Sequence, residues 1–162
     1  MQNNALTGLL FLIGIFYSSQ IMGFGAIIGV IISTITAFIL KYNKKDISNG
    51  LYGFNGTLVG IALIFFFGLN TLTVIGIIIG AIISSLAMNV MHSKKLFPYT
   101  FPFVITTWIL ITIIKLFELI PQQTNALIKT TSLQIVPALT MGVGQTMFQA
   151  NMVTGIIFLI AI

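Results

Sequence analysis

The stretch Gln2-Asn-Asn-Ala-Leu-Thr-Gly-Leu-Leu-Phe-Leu-Ile-Gly-Ile15 returns at the far end of the chain as Gln149-Ala-Asn-Met-Val-Thr-Gly-Ile-Ile-Phe-Leu-Ile-Ala-Ile162. Eight of the fourteen positions are identical without a gap, at an offset of 149 − 2 = 147. Apolar matches arise easily in a hydrophobic chain. The polar frame Gln-x-Asn-x-x-Thr-Gly does not, so the repeat is read as real. What lies between the two copies then decides the fold, because the number of membrane crossings between them sets their relative orientation.

Residues 5–40 carry no charge, and 36 residues exceed one membrane span of about 20. Ser18, Ser19, Gln20 and Gly23 break that run into a short helix, Ala5 to Tyr17, and a second from about Gly23 to Leu40. A polar loop follows over 41–49. The third span covers about Tyr52 to Phe67 and the fourth about Leu72 to Met91. The fifth follows Pro98 and Pro102 and ends near Phe117. Five is odd, so the second copy must enter the membrane from the opposite side. Inverted repeats of this kind are typical of transporters, with the substrate path at the interface between repeats. Residues 121–131 read as an extracytoplasmic loop, helical in part. Leu133 to Phe148 is apolar but interrupted by Pro137, Gly142 and Gly144, too short and broken for a full span, and suits a re-entrant pore helix. The expected fold is an all-α membrane protein: five transmembrane helices of an inverted-repeat channel, a re-entrant pore helix and the start of a sixth span. Residues 1–131 form the first repeat and 132–162 open the second.

Composition excludes several classes. Only 6% of the 162 residues are charged and 57% are hydrophobic, whereas soluble domains carry about 25% charge. A net charge of +5 raises the question of nucleic acid. The seven lysines, however, are scattered between apolar runs, so no nucleic-acid partner is expected. Lys41, Lys44, Lys45, Lys94 and Lys95 fall in two loops separated by two spans, hence on one side, which the positive-inside tendency makes cytoplasmic. The N-terminus falls there too, and no cleavable signal peptide pattern precedes it. There is no Cys, which removes thiol chemistry and Cys-based metal sites. His92, Asp46 and Glu118 cannot assemble a nucleophile–base–orienter set or a metal site, so neither enzyme nor cofactor is expected.

Three motifs stand out. Gly25, Gly29 and Ser33, and then Gly76, Gly80 and Ser84, place small residues four apart, which favours close helix packing over a substrate role. Asn49-Gly-Leu-Tyr-Gly-Phe-Asn-Gly-Thr-Leu-Val-Gly60 puts three of its glycines and an Asn at the mouth of a span: either a capped turn or a cavity lining. Leu96-Phe-Pro-Tyr-Thr-Phe-Pro-Phe103 loses two backbone donors to its prolines, as a simple kink or as a site with free carbonyls.

The second of these stretches resembles the hallmark of the urea transporter family. Tyr99-Thr-Phe-Pro-Phe103, with Thr106, Thr107 and Trp108 behind it, is similar to that family's Leu-Pro-x-x-Thr-x-Pro-Phe signature, although Phe97 stands at its first Pro. Gly144-Gln-Thr-Met-Phe-Gln-Ala-Asn151 resembles the segment that opens each family repeat. The likeness covers essentially the whole chain. It implies two inverted repeats of five spans, each led by a pore helix, in a homotrimer with one pore per protomer, located in the cell membrane (for a bacterial-type member, the inner membrane). It further implies a slot that sandwiches urea between phenyl rings while oxygen acceptors receive its N–H groups. By matching position, Phe54 is a slot phenyl, Thr100 the mid-channel hydroxyl, Gln145 a polar binding group and Phe148 its neighbouring ring. For Gln145 an interhelical hydrogen bond remains an equal reading. The first pore helix and spans seven to ten have no counterpart here, so a fragment of a longer channel is expected. The alternatives are a truncated non-transporting membrane subunit, or a channel for another small neutral amide or for ammonia.

Overall fold

A computed structural model describes residues 4–123 and 135–162. Among the described residues all regular structure is helical: α1 (Ala5–Ser18), α2 (Gln20–Ile39), α3 (Lys44–Ser48), α4 (Leu51–Phe67), α5 (Thr71–Ser93), α6 (Phe101–Leu116), α7 (Ile135–Gln145) and α8 (Met152–Ala161). Only α2 and α5 are long and apolar enough to cross a membrane unaided; α4 and α6, expected as spans, have 17 and 16 residues. The expected boundary at residues 131/132, and the loop over 124–131, lie outside the described residues.

The break in the first apolar run falls at Ser19. Its backbone is extended, its N–H donates to the Ile15 carbonyl, and its hydroxyl accepts from the Met22 N–H. One residue thus ends α1 and caps α2. Gly23 lies inside α2 rather than at its start, where the Phe16 ring leaves no room for a β-carbon. Residues 41–49, read as loop, contain α3. Asn43 caps the Lys45 N–H at 2.9 Å, and Asp46 sits in the first turn where the helix dipole favours an acid.

Parts of α2 and α5 bury small residues and leave large apolar ones uncovered. The buried face of α2 is Gly23, Gly25, Ala26, Gly29, Ser33 and Ala37. Its uncovered face carries Ile21, Phe24, Ile31, Ile35 and Phe38. On α5, Gly76, Gly80, Ala81, Ser84 and Ser85 are buried while Ile75, Ile79, Ile82 and Ile83 are not. Small residues inside and large aliphatics outside suit lipid, where close backbone approach holds helices together.

α2 and α4 cross closely and run antiparallel. Gly25 faces Gly60 and Gly29 faces Gly56, each so close that a β-carbon on either partner would land on the other's carbonyl. One turn further on, the Ser33 hydroxyl donates to the Tyr52 carbonyl at 3.1 Å, and the Ser85 hydroxyl of α5 donates to the Ser33 carbonyl at 3.1 Å. The expected four-residue spacing of small side chains is present. The partner of the α2 stripe is α4, with Gly56 and Gly60. The α5 stripe meets larger side chains instead: Gly80 is filled by Val59 and Leu110. The α6 helix packs on α4 and α5.

α1 and α8 lie side by side in opposite directions. The Thr7 hydroxyl donates to the Ala161 carbonyl at 2.9 Å, and the Thr154 hydroxyl donates to the Gly14 carbonyl at 3.0 Å. Adding the offset of 147 turns Thr7 into Thr154 and Gly14 into Ala161, so the two bonds are the same bond related by a local two-fold. Phe11 and its counterpart Phe158 meet ring to ring at 4.6 Å.

Candidate functional site

The two central motifs are joined by one side chain. Asn55 is fully buried in the second turn of α4. Its Nδ2 donates to the Tyr99 carbonyl at 3.2 Å, and its Oδ1 accepts the Phe103 N–H at 3.0 Å. That pairing also settles which end of the amide is which, since a flip would set donor against donor and acceptor against acceptor. Asn55 therefore stitches Gly53-Phe-Asn-Gly56 to Tyr99-Thr-Phe-Pro-Phe103. The sequence alone places Asn55 at the mouth of a span, as part of a capped turn or a cavity lining; the signal for its place in the structure is a polar residue in an otherwise apolar span.

Thr100 is exposed and occupies the N-cap position of α6, yet its hydroxyl makes no capping bond. Phe54 is half-buried, as is Phe148. Both pack, with Phe103, against the apolar cluster of Ile15, Ala26, Leu58, Ile61, Met147 and Phe158. Phe148 is the hub of a ring group, 5.1 Å from Phe65, 6.1 Å from Phe66 and 6.4 Å from Phe103. Gln145 is the last residue of α7 and its side chain is exposed. The structure thus gathers the two phenyls around one cluster. Among the described residues no side-chain hydrogen bond ties Thr100 or Gln145 to them.

Phe148 is held in an unusual backbone state. Its φ is 60°, in the left-handed region where a residue with a β-carbon is strained by about 1–3 kcal/mol. Two bonds close the turn after α7: the Phe148 N–H donates to the Gln145 carbonyl and the Gln149 N–H to the Gly144 carbonyl, at 3.0 and 3.1 Å. This is the Schellman pattern of a helix end, in which glycine normally takes the left-handed position. Gln149, almost fully buried, adds Nε2 bonds to the Met147 carbonyl at 2.9 Å and to Met22 Sδ at 3.2 Å. Its Oε1 has no partner among the described residues, and neither do the buried hydroxyls of Thr73, Thr106 and Thr107.

At the other end of the bundle the two lysine-bearing loops meet. His92 Nε2 lies 3.3 Å from Asp46 Oδ2, and the Tyr52 hydroxyl donates to Asn89 Oδ1 at 3.2 Å. The Tyr42 ring lies tilted against Tyr52 with centroids 5.2 Å apart, and burial pushes the Tyr42 phenol above its ordinary value. A cavity of about 510 Å³ opens here, lined by Leu51, Met88, His92, Leu96, Phe97 and Tyr99, among others. No group of three metal-ligating side chains occurs among the described residues.

The family model described as "Urea transporter" matches residues 1–162. Urea transporter 1 of Rattus norvegicus is 28% identical over 177 aligned residues, covering 99% of this chain and 46% of that protein. Urea transporter 1 of Ovis aries is 34% identical over 61 residues, 38% of this chain and 16% of the relative. The Mus musculus protein of that name is 34% identical over 64 residues, 40% and 17%. The chain spans less than half the length of these relatives.

Proposed function

The chain belongs to the urea transporter family, and from that premise we propose that it builds one side of a passive, urea-selective pore. The observation that carries this reading is the ring group around Phe148 and the cluster it shares with Phe54 and Phe103, a residue of the helix whose N-cap threonine has a hydroxyl that helix does not use. Urea is flat, neutral and rich in N–H donors. Ring faces accept its planar surface, and oxygen acceptors along the edge replace the water it sheds. A hydrated ion finds no such replacement on apolar walls. In this reading Phe54 and Phe148 are walls, and Thr100 and Gln145 are edge groups. The two acids, Asp46 and Glu118, lie outside the long helices, which fits a pore that needs no coupling ion.

The same premise supports the wider arrangement. Residues 1–131 are the first repeat and 132–162 open an inverted second one, a reading supported by the antiparallel, bond-for-bond pairing of α1 with α8. The lysine loops face the cytoplasm, the protein sits in the cell membrane, and the assembly is a homotrimer.

Stopped-flow light scattering on proteoliposomes tests the reading. Wild-type vesicles should take up urea faster than empty ones, and Thr100→Val should slow uptake about tenfold, the value of one hydrogen bond in a dry site. Uptake equal to that of empty vesicles would reject permeation by this chain in favour of a non-transporting subunit. Equal competition by acetamide would reassign the pore to small amides in general.

A further inference from the structure

We infer that Asn55 is a positioning residue that caps α6 from the neighbouring helix and thereby keeps the Thr100 hydroxyl free for the permeating solute. The substrate half of this inference rests on the urea reading above; the capping half does not.

A helix start leaves its first backbone N–H groups without intrahelical partners, and in a buried setting each must find one. The account for α6 closes completely. Phe101 N–H donates to the Pro98 carbonyl at 2.8 Å. Pro102 has no N–H to satisfy. Val104 N–H takes the Thr100 carbonyl at 3.0 Å, the first regular turn. Phe103 N–H takes Asn55 Oδ1 at 3.0 Å. An N-cap threonine ordinarily accepts from the second or third helical N–H. Here the second is proline and the third is held by Asn55. Thr100 therefore stands at a cap position with no N–H left to cap, and its side chain is exposed.

The other end of the Asn55 amide matters equally. Tyr99 has φ 44°, a left-handed state that a tyrosine rarely adopts. The Nδ2 bond to its carbonyl holds the peptide that leads directly into Thr100. One amide thus pins both flanks of Thr100, at residues 99 and 103, and leaves the hydroxyl between them free. In the absence of Asn55 the hydroxyl would turn inward to Phe103 N–H, rescuing the helix start and withdrawing from the solute.

A double-mutant cycle tests this with two readouts. Thr100→Val should leave Tm and the hydrogen-exchange protection of the Phe103 amide unchanged. Asn55→Ala should slow urea uptake about tenfold, as Thr100→Val does. The double variant should be no slower than either single, while its Tm falls by more than the two single losses added, because neither residue then caps α6. Asn55→Asp, whose buried protonated carboxyl offers one donor and one acceptor, should recover most of the flux lost in Asn55→Ala. A drop in Tm or amide protection in Thr100→Val alone, or flux losses that multiply in the double variant, would overturn the inference. If wild-type vesicles carry no urea the functional reading falls, and the Tm and exchange arms still decide the cap. Should Asn55→Ala not fold, the Thr100→Val exchange measurement decides it alone.

Discussion

Gly29→Leu should strongly destabilise the bundle. The β-carbon alone lands on the Gly56 carbonyl oxygen, and Gly56 is equally closed by Gly29 and Ser33. What a Gly29 β-carbon meets, the Gly56 carbonyl and the Thr57 nitrogen, is backbone and cannot turn aside. The helices can only separate. Separation forfeits the Gly25–Gly60 approach one turn away, together with the Ser33 to Tyr52 and Ser85 to Ser33 hydrogen bonds. Overpacking of a tight core alone costs about 1–3 kcal/mol, and two buried hydrogen bonds add about 1 kcal/mol each. The expected loss is thus about 3–5 kcal/mol, a large part of the total stability of a domain. Fluorescence-detected size exclusion with a thermal ramp reads it directly. Gly8→Leu is the control, since nothing lies within 4 Å of its β-carbon position. A Gly29→Leu protein that melts with the Gly8→Leu control would refute the close-packed crossing.

Phe148→Gly should separate stability from transport. Glycine relaxes the left-handed backbone at φ 60°, a gain of about 1 kcal/mol or more. It loses the ring contacts to Phe65, Phe66 and Phe103, each worth about 0.5–1.5 kcal/mol. The relief offsets only part of that loss, so Tm should fall, but by less than removal of the ring alone would cost. Phe148→Ala keeps the strain and loses the ring, so it should be less stable than Phe148→Gly, the reverse of the usual helical order. Both variants remove one wall of the proposed slot, and urea uptake should fall at least about tenfold. Chemical unfolding and stopped-flow uptake on the same three preparations check this. An alanine variant more stable than the glycine one would remove the strain argument. Wild-type uptake by Phe148→Gly would remove the ring from the pore.

Much of the fold was legible because lipid imposes simple rules. Charge-free runs marked the helices, and Ser19 marked the break between α1 and α2 through ordinary capping chemistry. Periodicity exposed the small-residue faces of α2 and α5, but a period identifies a face and not its partner. That α2 closes on α4 through Gly56 and Gly60 depends on the crossing geometry. The short helix α3 escaped notice because four polar residues around a single Ile47, with a cap, read equally well as loop. At the candidate site the motifs were visible and the wiring was not. Asn55 acts on residues 44 and 48 positions away, a separation no local pattern encodes. The left-handed state of Phe148 was hidden for the opposite reason: the rule that helix ends want glycine points away from it.

The seam between α1 and α8 also sets an order of events. Thr7 finds the Ala161 carbonyl 154 residues later in the chain. At a synthesis rate of roughly 5–20 residues per second, α1 waits about eight to thirty seconds for α8 to emerge. During that interval its hydroxyl can turn only to its own helix or to the translocation machinery, and the Gly14 notch that receives the Phe158 ring stands open. α1 can pack on α2 as soon as that helix is made, but its seam with α8 closes only at the end of that interval. An inverted second copy that offered its own α1 to that notch would be competing with a segment tethered to the same chain, and it would have to arrive before α8 does.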